Sequence, residues 1–272
     1  VLVSVMAEEK MPVSVVKDYK LPAWADAKTL VFCVSYSGDT QETLAAFSDA
    51  QKKKCFIVSI TSGGKLREFS SEYKIPYVSI PRDFPPRAAL GYLFVPMIVI
   101  LENAGLVKGK IKEVRDAISV ISQPGLQAKA EQLAGKLRDK TPLIYASPRL
   151  VTAAVRWKDE FNENAKVHAF WNVFSELCHN EIVGYTLKRG EWYVFLLRDE
   201  KDNRQLAAQM DRTRDIIKAK GVEVMEINLK GVSTLVKLFT AIHLGDWLSY
   251  YHALGNGMDP YPVDVIVQLK KK

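Results

Sequence analysis

The sequence predicts an α/β protein of two halves, each a parallel sheet covered by helices. Three observations carry this reading. Short apolar runs closed by Ser, Gly or Pro alternate with longer segments of helical period. The alternation begins near Leu30 and restarts near Leu143. A long apolar helical stretch follows in each half, at residues 87–106 and again at 232–254. Strands that alternate with helices pair in parallel and are covered on both faces.

In the first half, residues 30–35 read as a buried strand that runs into a Ser/Gly turn, and 40–54 as a helix with Leu44, Ala45 and Phe47 on one face. A strand at 55–60, a helix at 65–73 and a strand at 75–80 follow. The apolar helix 87–106 ends near Gly105 and Gly109. In the second half, 126–139 is an amphipathic linking helix, and 143–146 a strand ending in Ser147-Pro148. A helix at 150–164, strands at 192–197 and 222–228, and a helix between them at 205–220 complete the pattern before the helix 232–254. Two domains, 1–125 and 126–272, are expected. The halves share a pattern and no residue-level repeat.

The 272 residues are 48% hydrophobic and 25% charged, an ordinary globular composition with enough apolar material for a sizeable core. Cys33, Cys55 and Cys178 form no C-x-x-C pair, which argues against a disulfide framework and a zinc site and suits a reducing cytoplasm. The net charge of +7 is spread along the chain, with runs only at 52–54 and 270–272. That argues against a nucleic-acid partner, whereas a diffuse positive field attracts small anions. The most apolar stretch, 93–101, contains Pro96 and is flanked by Arg87 and Glu102, well short of the ~20 apolar residues of a membrane span. Nothing at the start reads as a signal peptide, and a soluble cytoplasmic protein without membrane contact is expected.

Two constellations carry chemistry. The first is Ser35-Tyr36-Ser37-Gly38-Asp39-Thr40-Gln41-Glu42-Thr43, directly after the first strand. Short hydroxyl side chains, backbone N–H groups and the positive end of a helix dipole together suit a phosphate, and Gly38 lets the backbone turn closely around it. The alternative is an N-terminal cap, since Ser or Thr followed by Glu is also a capping signature. The stretch resembles the phosphate loop of SIS (sugar isomerase) domain proteins. The resemblance implies two three-layer α/β/α subdomains of SIS type and assigns the substrate phosphate to Ser35, Ser37 and Thr40.

The second constellation comprises Asn162-Glu163-Asn164-Ala165-Lys166 and, further on, His179-Asn180-Glu181-Ile182-Val183-Gly184. Moving a hydrogen between C2 and C1 of a sugar needs one base, and a carboxylate serves if its pocket lifts it above its solution pKa of about 4.3. Ring opening needs a second acid/base, for which a histidine of reference pKa about 6.5 is suited. In this order the two stretches resemble the bifunctional phosphoglucose/phosphomannose isomerases, a match reaching from about Val13 to the C-terminus.

That resemblance implies an isomerase interconverting glucose 6-phosphate and fructose 6-phosphate, with mannose 6-phosphate as a further substrate. Glu163 becomes the base and His179 the ring-opening residue. A lysine on the last helix, expected at 262–272, joins it; Lys270 fits best, beside Lys271 and Lys272. Arg87, in Pro85-Pro86-Arg87-Ala88-Ala89-Leu90-Gly91-Tyr92, takes the place that steadies a cis-enediolate. No metal or other cofactor is expected, and His168, His243 and His252 read as packing residues, as do Phe170 and Trp171. The surplus of apolar helix surface and the resemblance point to a homodimer whose active site is shared between subunits.

Relatives carry a Gly-rich turn after an initial strand, which 1–10 would follow as a helix. Because the chain opens at Val1, a preceding segment is expected to hold that turn. Two rivals keep part of the pattern. A non-catalytic phosphosugar-binding regulatory module would retain the hydroxyl loop and have no use for Glu163 and His179. An aminosugar-phosphate synthase would need a nucleophilic Cys, and none of the three cysteines is so placed.

Overall fold

The computed structural model describes residues 11–187 and 189–270. The helical start expected at 1–10 lies outside this range, as do Lys271 and Lys272. The chain forms two compact units, divided between Ile111 and Lys112.

The first unit is built on a three-stranded parallel sheet, β1 (Leu30–Val34), β2 (Phe56–Thr61) and β3 (Tyr77–Ser79), in that order, with Leu30 opposite Phe56 and Ser59 opposite Tyr77. Alternation along β1 sends successive side chains to opposite faces. Val31 and Cys33 join Leu44, Phe47, Ala50, Ile57 and Leu66, where α1 (Gln41–Lys52) and α2 (Gly64–Glu72) pack. Leu30 and Phe32 pack instead with Leu101 and Val107, at and beyond the end of α3 (Leu90–Asn103). Burial pushes the Cys33 thiol up to about 12, which leaves it a small hydrophobe.

The second unit begins in the first turn of α4 (Lys110–Ile121) and continues through α5 (Gly125–Ala134). Its sheet has four parallel strands in the order β5-β4-β6-β7: β4 (Thr141–Ala146), β5 (Phe170–Val173), β6 (Trp192–Asp199) and β7 (Glu223–Leu229). Leu143, Tyr145, Val194 and Leu196 face one side, with Met210 and Ile217 of α7 (Arg204–Ala219) and with Leu177 and Tyr185. Phe195 meets Trp157 of α6 (Val151–Glu163) edge-on, at 5.3 Å between ring centres. The 22-residue α8 (Thr234–Gly255) packs against α5 and α6. A last helix, α9, spans Asp264–Lys270.

The seam between α6 and α8 is close. The Trp157 indole donates to the Ala241 carbonyl at 2.7 Å. A Cβ on Gly245 would stand 2.2 Å from two atoms of the same ring, so glycine is what lets the two helices approach. Arg156 spans the seam beside it, bonding Asp246 of α8 at 2.9 Å and Glu160 of its own helix at 3.0 Å. At the far end of β6, Lys237 of α8 forms a fully buried ion pair with Asp199.

The structure corrects several expectations. Helix α4 is not among the expected elements. Charged residues mask α4 in the sequence, since only Val114 and Ala117 of that helix are buried. Phe170 and Trp171 are not core: they begin β5, an edge strand, and are 56% and 40% exposed. The apolar stretch 232–254 is no surplus, because twelve residues of α8 are buried within the protein. Among the described residues, no helix is long and apolar enough to cross a membrane.

Gly245→Ala forces a methyl into the Trp157 ring. It should cost about 1–3 kcal/mol, read as a fall in Tm of several degrees by calorimetry; an unchanged Tm would show that the seam relaxes freely.

Candidate active site

In the first unit the hydroxyl loop closes on itself. Ser35, the residue after β1, is buried and accepts from the Gly38 N–H at 3.1 Å, while its Oγ lies 2.8 Å from Thr40 Oγ1. Ser37 Oγ accepts from the Asp39 N–H at 3.2 Å. Thr40 occupies the N-cap position of α1 but makes no capping hydrogen bond. The capping explanation of this stretch therefore fails at Thr40, whose hydroxyl is bound up with Ser35. The dipole end of α1 keeps its attraction for an anion. Ser37 and Thr40 are exposed, so the loop offers two hydroxyls to solvent on a buried Ser35 brace.

A second loop underlies it. Gly38 has φ +80°, and a Cβ there would lie 1.8 Å from the Gly63 carbonyl oxygen. A Cβ on Gly64, φ +66°, would lie 2.4 Å from the Ser37 carbonyl oxygen. The Thr61-Ser62-Gly63-Gly64 turn after β2 thus touches the hydroxyl loop backbone to backbone, and glycines are required on both sides. Asp39 fastens the contact by accepting from the Lys65 N–H at 3.1 Å. Arg87 sits half-buried in the 3-10 turn Pro86–Ala89 that leads into α3.

In the second unit the two asparagines around Glu163 are anchors. Asn162 donates to the Val167 carbonyl at 2.8 Å, and Asn164 donates to Glu160 at 2.9 Å and to Ser249 at 3.0 Å. Lys166, in the left-handed region at φ 59°, donates to the Glu163 carbonyl and, at 3.2 Å, to that of Pro260. The end of α6 is thereby stitched to the segment that leads into α9 and Lys270. The two candidate carboxylates divide clearly. Glu160 is buried and takes Arg156 and Asn164 on its two oxygens; Glu163 is the half-buried residue between the anchors. Burial of Arg156, which opposes its charge, is outweighed by Asp246 and Glu160, and the guanidinium is held above its ordinary value.

His179 is exposed, between the 3-10 turns Glu176–Cys178 and Glu181–Thr186. Its loop is fastened through Glu181, which accepts from the Tyr145 hydroxyl at 2.6 Å and from Asn172 at 2.5 Å; Tyr145 and Tyr185 hydroxyls lie 2.7 Å apart. Burial pushes both phenols upward, so they remain protonated donors. His252 is core, edge-on to Phe161, and burial lowers its pKa. His243 accepts from the Trp247 indole at 3.1 Å. Among the described residues, no group of three His, Cys, Asp or Glu could hold a metal ion.

Glu163 and His179 lie toward opposite edges of their sheet. Because α6 runs back from the end of β4 to the start of β5, Glu163 is at the amino edge; His179 follows the carboxyl end of β5. Four strand residues alone span roughly 13 Å.

A family model, the bacterial phospho-glucose isomerase C-terminal SIS domain, matches residues 126–272. A bifunctional phosphoglucose/phosphomannose isomerase of Caldicellulosiruptor bescii is 40% identical over 99% of this chain and 84% of its own length. The chain belongs to that isomerase family. A second member, from Aquifex aeolicus, is 33% identical over 96% of this chain and 81% of its own. A solved structure of a hypothetical protein from Thermus thermophilus shares the fold at a TM-score of 0.72 and 18% identity, over 91% of this chain and 71% of its own.

Within this family frame, the residues missed by sequence reasoning are supports: Gly63, Gly64, Lys166 and Glu181. The Gly-Gly pair after a strand was a visible signal, because adjacent glycines at such a point mark a close backbone approach. The others become legible only through partners distant in the chain. Two substitutions separate the carboxylates. Glu160→Gln should lower Tm while leaving residual turnover in the folded fraction, and Glu163→Gln should abolish turnover; the reverse pattern in paired melting and activity measurements would exchange their roles. In the hydroxyl loop, Ser37→Ala with Thr40→Ala should raise KM for a hexose phosphate at least tenfold, and an unaltered KM would remove the loop from the site.

Proposed function

We propose that this chain is a metal-independent aldose–ketose isomerase acting on glucose 6-phosphate, fructose 6-phosphate and mannose 6-phosphate through a cis-enediolate. The names of the relatives support the substrates. One observation supports the mechanism: of the two glutamates at the end of α6, Glu160 is buried with Arg156 and Asn164 on its two oxygens, and Glu163 stands half-buried between anchored asparagines.

Ser35, Ser37 and Thr40 hold the phosphate. His179 and Lys270 open the ring, one proton leaving the C1 hydroxyl as another reaches the ring oxygen. Glu163 takes the C2 proton from the open aldose and returns it to C1 while the O2 hydroxyl proton passes to O1, and Arg87 balances the charge on the enediolate oxygens. Glucose and mannose phosphates differ at C2 alone, and that centre is planar in the enediolate. One base and one intermediate therefore accommodate both aldoses.

The working form is a homodimer in which His179 of one protomer serves the site of the other. The opposed positions of Glu163 and His179 on one sheet support this reading. So do Val183 and Leu187, 65% and 63% exposed in the segment that follows His179, since exposed apolar side chains suit a contact surface. A cytoplasmic setting agrees with the three free cysteines.

Incubation with fructose 6-phosphate, following glucose 6-phosphate and mannose 6-phosphate by separate coupled assays, should yield both, with or without EDTA. Absence of either product would remove that substrate, and loss on chelation would end the metal-free mechanism. Glu163→Gln and His179→Ala homodimers should each be inactive. Their mixture should recover up to about a quarter of wild-type activity once subunits exchange, because one site of each hybrid holds both groups intact. A proven hybrid without activity would place both groups in one protomer.

A further inference from the structure

A phosphate monoester brings up to two negative charges, and the hydroxyl loop offers no positive side chain in return. Its charged members are Asp39 and, in the first turn of α1, Glu42. A dipole end and two hydroxyls leave a net anionic surrounding. The chain brings one arginine to this place from beyond β3.

After β3 the backbone continues the sheet for one more bond, Ile80 N–H to the Thr61 carbonyl at 3.0 Å, and then forms a strap over residues 81–85. Arg82 lies on that strap. Its Nε donates to the Ser62 carbonyl at 2.7 Å, which pins the guanidinium. A Cβ on Gly63 would stand 2.0 Å from Arg82 Nη2, so the guanidinium occupies the space that the missing side chain leaves. Gly63 is the residue whose carbonyl meets Gly38 of the hydroxyl loop. Guanidinium, Gly63 and Gly38 therefore form one continuous run of contact. The terminal amino groups of Arg82 have no acceptor among the described residues.

The strap itself is fastened to the loop. The Tyr36 hydroxyl accepts from the Phe84 N–H at 2.9 Å, and the Tyr36 carbonyl accepts from Ser62 Oγ at 2.6 Å and from its N–H at 3.0 Å. Between Arg82 and Phe84, Asp83 adopts φ 76°, a left-handed conformation that this short side chain tolerates better than most. An arginine serving only solubility needs neither pinning nor a glycine cradle.

We propose that Arg82 is a phosphate-binding residue, supplying the positive charge that the hydroxyl loop lacks through the pair of terminal amino groups left open by its Nε anchor. The inference rests on the placement of the substrate phosphate at Ser35, Ser37 and Thr40. The strap carries Arg82 at one end and runs into the turn holding Arg87 at the other, so a cation for the phosphate and a cation for the enediolate come from one short segment.

The test uses inorganic phosphate as a direct probe, by calorimetry and as a competitive inhibitor, alongside KM and kcat for fructose 6-phosphate. Arg82→Gln, which keeps a donor for Ser62 but no charge, should weaken phosphate binding about ten- to a hundredfold and raise KM similarly, with kcat nearly unchanged. Arg82→Lys should recover part of the loss, since a point charge replaces the fork. Wild-type KM should rise with ionic strength more steeply than that of Arg82→Gln. If Arg82→Gln melts like wild type and binds phosphate equally well while Ser37→Ala with Thr40→Ala loses it, the inference fails and the phosphate loop stands. If neither variant changes phosphate affinity, the placement of the phosphate is itself wrong. Because calorimetry reads binding without turnover, a chain inactive as an isomerase would still decide the point.

Discussion

Parallel pairing of neighbouring strands is the constraint on which the architecture rests. When every strand of a sheet runs the same way, every strand leaves at the same edge, and the turns that follow are forced together. In the first unit this gathers the exits of β1, β2 and β3 into one place. Ser35, Ser62 and Arg82 are separated by 27 and 20 residues along the chain, yet their loops are in contact. Crowding of that kind excludes side chains, which explains Gly38, Gly63 and Gly64 without reference to substrate. Backbone gathered in this way is a setting in which an anion is held well.

The second unit solves a different problem, that of holding a carboxylate firmly at the end of a helix. Helix ends fray unless something outside the helix holds them. Here α6 is clamped along its length by α8, through the Trp157 indole over Gly245 and through Arg156 between Glu160 and Asp246. Its last turn is then closed by Asn162, Asn164 and Lys166. A buried ion network of this kind adds little net stability once desolvation is counted, but removal of one partner leaves an uncompensated charge. Its value lies in fixing one geometry. Glu163, between the two anchored asparagines, inherits that fixity.

Much of this was legible from the residues alone. Buried strands such as β4 and β6 announce themselves as unbroken apolar runs, and the helices between them as periodic ones. β5 did not, because Phe-Trp-Asn-Val is short, half-exposed and follows no turn signal, so its aromatics read as packing. α4 was hidden by its charges. At the site, the hydroxyl loop was recognisable as a motif, but the different duties of its members were not. Ser35 is the brace and Ser37 the exposed group, a distinction set by burial that letter spacing cannot express. Glu160 and Glu163 are likewise equivalent in sequence, three apart on one helix. They part company in burial, the first being buried with Arg156 and Asn164 on its two oxygens and the second half-buried.

If Glu163 and His179 serve one substrate as proposed, their opposed positions make assembly part of the chemistry. Sugar C2 and the ring oxygen lie within a few bonds of each other, so their acid/base groups must come within a few ångströms of one substrate. A rigid sheet holds these two side chains toward different edges, and no rotamer change spans a strand length. The two-fold axis of the proposed homodimer would resolve the conflict. An isologous contact uses the same surface twice, so a carboxyl-edge loop from each protomer can complete the amino-edge site of the other. The Glu181 anchor to Tyr145 and Asn172 then has a reason: a loop that must fit a partner's site has to be set before the partner arrives, since ordering it on contact would weaken association. An exposed histidine on a firmly tied loop is the form such a group would take in the separate protomer.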